Sequence, residues 1–155
     1  MRYTIFCRRF LFASLVATLL VACFSCKKKK GDVYPQHDRP TWAVTDTANL
    51  EYSMTVIGSL PESLYASADT TDLVAAFYND KCCGVTSLQR LNDKPIFFLY
   101  IVKPSNTPQQ FEITLRYYSA TTRYIFVAKN AFVYSPEGIH SDIDAPFVPD
   151  FSEQE

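Results

Sequence analysis

Beyond Trp42 the apolar residues of this chain alternate with polar ones, or gather in runs of no more than seven, and turn residues break them at short intervals. Successive side chains of a strand point to opposite faces, so a period of two leaves sheet packing as the way to bury the apolar set; no stretch carries the 3.6 period of a long amphipathic helix. The pattern is fullest from Gln109 to Ala128. Phe111, Ile113, Leu115 and Tyr117 share one face, and Glu112, Thr114, Arg116 and Tyr118 share the other. With Ser119 to Thr122 as a four-residue loop, Tyr118 faces Arg123, Tyr117 faces Tyr124 and Leu115 faces Phe126, so both strands agree on a buried face.

The remaining strands follow from the same reasoning. Leu50, Tyr52, Met54 and Val56 fall on one face of a half-buried strand, with Glu51, Ser53 and Thr55 opposite. Leu73 to Tyr78 is apolar on both faces, as a central strand is; Asn79 and Asp80 start a turn, and Cys83 to Leu88 returns. Asn92-Asp93-Lys94-Pro95 punctuates before Ile96 to Val102, the most apolar run of this region and one of strand length. Pro61 to Asp72 reads as a loop with room for a short helix before Ala68. About seven short strands over roughly a hundred residues predict an all-β chain, an antiparallel two-sheet β-sandwich that is Ig-like in architecture; a small β-barrel is the alternative.

A different composition precedes the strands. Arg2, Arg8 and Arg9 lead into 13 uninterrupted apolar residues, Phe10 to Ala22, the layout of an export signal and too short to span a bilayer comfortably. Leu20-Val21-Ala22-Cys23 closes that run and resembles the lipobox of bacterial lipoproteins. The resemblance implies a signal peptide over residues 1–22 and lipid attachment at Cys23. Phe24-Ser25-Cys26 fits less well, because Cys23 and Phe24 would occupy the places of an aliphatic and a small residue. Residues 23–41, with Lys27 to Lys30 and two prolines, read as a tether, 42–149 as the sandwich and 150–155 as an acidic tail. The four lysines are either a solvated spacer or, near anionic headgroups, worth about 1 kcal/mol each.

Asp72-Leu73-Val74-Ala75-Ala76-Phe77 and Asp80-Lys81-Cys82-Cys83-Gly84-Val85 resemble the run D-x-I-A-A-F-V-G-D-E-C-R-G-V of a β-sandwich module common in exported lipoproteins of gut-type Gram-negative bacteria. The resemblance also takes in the Tyr52 to Val56 strand, the Ile96 to Val102 strand and the Thr114 to Tyr124 hairpin, hence most of residues 42–148. It departs at Cys83, where the module usually carries Arg. It implies an extracytoplasmic, surface-displayed module, and it brings with it no ligand or catalytic residue; with lipid on Cys23 the expected place is the outer membrane, on its cell-surface or periplasmic face.

Chemistry-bearing patterns are sparse. Cleavage would remove Arg2, Arg8 and Arg9 from 15 basic residues, leaving 12 against 16 acidic ones, which offers nucleic acid no basic surface. Cys23 and Cys26 have C-x-x-C spacing, but lipid on Cys23 would block redox or zinc chemistry. Cys82 and Cys83 point to opposite faces of a strand, and a bond between them would need a strained turn; one buried thiol and one exposed or variably paired thiol are expected. His37 lies in the tether, so His140 is the one histidine base for a small hydrolase, and His140-Ser141-Asp142-Ile143-Asp144 lacks a nucleophile elbow and reads as a loop. Asp142, Asp144 and Asp150 lack the glycine and terminal glutamate of an EF-hand. No P-loop, Rossmann or zinc-hydrolase pattern occurs, and the sequence assigns no catalytic residue, metal or cofactor.

These features predict a membrane-anchored extracytoplasmic lipoprotein, a non-enzymatic module for binding or envelope assembly with a glycan or envelope protein as partner. A purely structural envelope module and a hydrolase using His140 are the alternatives. Aromatic residues make up 15% of the chain and suit stacking on sugar faces. Phe77, Phe98, Tyr100, Phe111 and Phe126 have the parity of buried positions, which leaves Trp42, Tyr118 and Tyr134 for the surface. The candidate binding surface is the outer face of the hairpin, with Arg116, Tyr118 and Arg123.

Overall fold

In the computed structural model, residues 34–47, 52–151 and 153–154 are described. The signal segment, Cys23 with its expected lipid, Cys26, Lys27 to Lys30 and Leu50 lie outside them. The chain forms β1 (Ser53–Ser59), a 3₁₀ turn (Glu62–Ser67), β2 (Leu73–Tyr78), β3 (Lys81–Ser87), β4 (Gln89–Leu91) and β5 (Lys94–Val102). After these come β6 (Glu112–Tyr118), β7 (Ile125–Val127), β8 (Phe132–Val133), β9 (Ile139–His140) and β10 (Glu153–Gln154).

One sheet has the order β4-β5-β1-β9; the other has β10-β7-β6-β2-β3, with β8 beside the start of β6. All neighbours run antiparallel except β9, which is parallel to β1. The two sheets form a sandwich and do not close into a barrel. β3 and β4 follow each other across Leu88 yet belong to different sheets, so this stretch turns one corner of the sandwich. Gly84 permits the corner to close: a Cβ there would stand 2.3 Å from the Tyr100 carbonyl oxygen of β5.

The core lies between the sheets. Met54 and Val56 of β1 and Phe97, Leu99 and Ile101 of β5 meet Val74 and Ala76 of β2 and Ile113, Leu115 and Tyr117 of β6, all buried. Each large side chain there contributes about 1.5–3 kcal/mol by leaving water. The tight turns are those whose residues tolerate a left-handed backbone. Asn79 and Asp80 have φ of 44° and 62°, and Asn92 and Asp93 have 48° and 64°, the paired positive angles of two-residue hairpins whose twist matches their strands.

The β6–β7 register differs from the expected one by two residues. Tyr117 pairs with Phe126 and Tyr118 with Ile125, and the loop runs on to Tyr124, whose carbonyl accepts the Ser119 N–H at 3.0 Å. The Ser119 carbonyl accepts the Arg123 N–H at 2.8 Å, with Arg123 left-handed at φ 62°. A slip of two keeps every side chain on its face, so Leu115, Tyr117 and Phe126 are buried as their parity requires.

Asp72, wholly buried at the start of β2, fastens this loop. Its carboxylate accepts the Tyr117 hydroxyl at 2.6 Å, the Ala120 N–H at 2.7 Å and the Asp69 N–H at 2.9 Å. Burial, and after it the Asp72 carboxylate, raises the Tyr117 phenol above its ordinary value.

Both ends of the described chain lie on the sandwich. Tyr34 to Thr41, read as tether by composition, belong to the compact unit that begins at Tyr34. The His37 N–H donates to the Arg123 carbonyl at 2.8 Å, Arg39 donates to the Thr71 carbonyl at 2.5 Å, and Trp42 meets the Phe77 ring edge-on at 5.6 Å. Asp46 accepts the Ser105 N–H at 2.7 Å. The segment thus straps the outer face of the second sheet. At the other terminus, Phe151 is buried in the core and β10 pairs with β7.

Candidate binding face

The strap decides the fate of the residues expected to bind. Tyr118 has outward parity, but it is only 4% exposed; with Phe77, Ala75 and Ile125 it makes an apolar outer face that is buried in its turn. Arg116 lies with its guanidinium 4.4 Å from the Phe77 ring centroid and donates to Asp80 at 2.6 Å. Arg123 pairs with Asp38 of the strap at 2.5 Å. Arg116 and Arg123 are thus each paired with a carboxylate and Tyr118 is buried, so the three do not present an open, positive island. Tyr134 is also buried, stacked on Phe111 at 4.7 Å with its hydroxyl donating to the Tyr52 carbonyl at 2.5 Å. Trp42 is half-buried against Phe77.

The open face belongs to the other sheet. In β5 the residues turned into the core are Phe97, Leu99 and Ile101, so Phe98 and Tyr100, expected inside, point outward and are 37% and 49% exposed. Thr55 lies opposite Tyr100 and Ile57 opposite Phe98 on β1, and Ile139 of β9, opposite Thr55, is 72% exposed. Apolar surface left in water costs about 25 cal/mol per Å², and a contiguous patch of it marks a contact surface more often than scattered single residues do.

Toward the β4–β5 turn this face descends into a recess of about 320 Å³. It is lined by Ser59, Leu91 and Ile96 from the sheet side and by Ile143, Asp144 and Pro146 from the segment after β9. The Ser59 hydroxyl is already engaged, donating to the Pro95 carbonyl at 2.9 Å. Asn92 and Lys94 complete the lining. The signal for this face was the polar parity of Ser53, Thr55 and Ser59 on β1: paired with β5 in register, it puts Phe98 and Tyr100 outside.

His140 sits elsewhere, its ring stacked on Phe132 at 4.8 Å and edge-on to Phe147 at 5.0 Å. Burial holds the imidazole below its ordinary value. The neighbouring Asp142 carboxylate accepts the backbone N–H groups of Asp144 and Ala145 at 2.9 and 2.7 Å, capping its own loop. Cys82 and Cys83 are both free thiols, the first half-buried and the second in the core. A register shift in the β2–β3 pairing leaves Cys83 as the extra residue opposite Ala76 and Phe77. Burial pushes the Cys83 thiol up to about 11 and raises Cys82 as well, which keeps both protonated and slow to react near neutral pH. Among the described residues no group of three acidic, histidine or cysteine side chains is placed to hold a metal ion.

Comparison with known proteins finds no matching protein-family profile, no similar curated protein and no solved structure with a matching fold.

Proposed function

We propose that this chain is an extracytoplasmic lipoprotein, held at the outer membrane by lipid on Cys23, whose sandwich is a non-enzymatic binding or envelope-assembly module. Its contact surface is the open face of the four-stranded sheet. The observation that supports this reading is the placement of Phe98 and Tyr100 side by side at the surface, with Ile57 and Ile139 next to them, while the aromatic residues Phe77 and Tyr118 on the outer face of the other sheet are buried. Aromatic side chains at the centre of a face supply large contact area at small entropic cost, to a sugar ring or to a protein surface.

Ten residues separate Cys23 from Tyr34, so an anchored domain stays within about 35–40 Å of the bilayer. The partner is accordingly an envelope glycan or envelope protein. The test is a glycan array and an envelope pull-down with the full chain, run in parallel with a Phe98→Ser, Tyr100→Ser variant. A partner retained by the native chain and lost by the variant supports the reading. Equal retention by both chains refutes it, and no specific partner for either would favour the purely structural alternative.

A further inference from the structure

The recess at the β4–β5 end of the open face has an arrangement that the reading above does not use. Lys94 stands on the sheet side and Asp144 on the loop side, and both line the recess. The ion pairs of the described residues are Arg116–Asp80 and Arg123–Asp38, so these two opposite charges face one space without pairing with each other. The same lining includes the apolar side chains of Leu91, Ile96 and Ile143. Both charges sit on fixed backbone. Lys94 follows directly on the Asn92-Asp93 turn with its two left-handed residues, and the backbone N–H of Asp144 is held by the Asp142 carboxylate at 2.9 Å.

The geometry points to a site for a small zwitterion with an apolar tail, of which an apolar α-amino acid is the simplest. Lys94 and the Asn92 side-chain amide take the carboxylate, Asp144 takes the ammonium, and the tail lies on Leu91, Ile96 and Ile143. Size agrees with this class. The recess of about 320 Å³ stands at the small end of the range for ligand pockets, roughly 300–1,000 Å³. A ligand carrying one charge alone would leave the opposite charge of the recess to water, whereas a zwitterion meets both with charge-assisted hydrogen bonds. The inference rests on the open face being a binding face, and it names what the recess in that face holds.

Calorimetric titration of the full chain tests it with four probes: leucine, N-acetylleucine without the ammonium, leucinamide without the carboxylate, and glycine without the tail. Saturable leucine binding is expected, with each of the other three about tenfold weaker or more. Lys94→Gln should abolish the preference for leucine over leucinamide, and Asp144→Asn the preference over N-acetylleucine. Both substitutions lie at exposed positions outside the core. Absence of saturable heat with leucine up to about 10 mM, or equal binding by the capped probes, overturns the assignment. Failure here alongside partner capture that still depends on Phe98 and Tyr100 would sink the recess site alone and leave the binding face standing.

Discussion

Replacing Asp72 by alanine isolates the interaction that joins β2 to the tip of the β6–β7 hairpin. The native carboxylate accepts three hydrogen bonds, from Tyr117, Ala120 and Asp69, and is itself wholly buried. The substitution orphans these donors unequally. The Tyr117 hydroxyl is in the core and no water replaces the lost acceptor, a penalty of about 1–3 kcal/mol. The Ala120 and Asp69 N–H groups lie where water reaches, so each loses about 0.5–1.5 kcal/mol at most. The total expected is about 2–6 kcal/mol, and each kcal/mol lowers Tm by about 3–5 °C in a unit of this size. Urea unfolding followed by circular dichroism measures it. The same substitution made on a Tyr117→Phe background should cost about 1–3 kcal/mol less, because the hydroxyl that would be orphaned is gone. A cost below about 1 kcal/mol, or the same cost on both backgrounds, would refute the account of Asp72 as the clasp of this hairpin.

Other perturbations probe other links. Burial lowers the His140 value in the folded chain, so the unfolded chain binds the proton first as pH falls through its ordinary value near 6.5, and stability is lost below that point; His140→Phe should flatten this part of the stability–pH curve in denaturant titrations, and an unchanged slope would contradict it. Gly84→Ala should destabilise by about 1–3 kcal/mol or more, since its Cβ meets the Tyr100 carbonyl; a stability equal to native would show that β3 and β5 are not closely apposed. Cys23→Ser should abolish metabolic palmitate labelling while Cys26→Ser leaves it intact, and the reverse result would move the cleavage site by three residues.

What could be read beforehand was what period two and turn chemistry encode. Asn79-Asp80 and Asn92-Asp93 form turns because these side chains accept positive φ, and the faces of β6 were legible because polar residues mark one side. The exact pairing was not, since a slip of two leaves the pattern unchanged. Ile96 to Val102 is apolar on both sides, so it carried no parity of its own; aromatic bulk favoured burying Phe98 and Tyr100, while the packed interface took Phe97, Leu99 and Ile101. Tyr118 has the outward parity its sequence implies and is buried all the same, on a sheet face where the strap from Tyr34 packs against Phe77 and Arg123, and nothing in the strap's Pro-containing, charged composition announces those contacts.

In the function proposed above, the open face carrying Phe98 and Tyr100 is where this protein meets its partner. The most direct measurement replaces Tyr100 with the photoreactive benzoylphenylalanine in the full chain, illuminates intact cells and reads adducts to protein or glycan, with the same residue at exposed Glu112 of the second sheet as control. The account predicts discrete adducts from position 100 that are absent from position 112 and suppressed by a Phe98→Ser substitution. Equal labelling from both positions, or none from position 100, would contradict it.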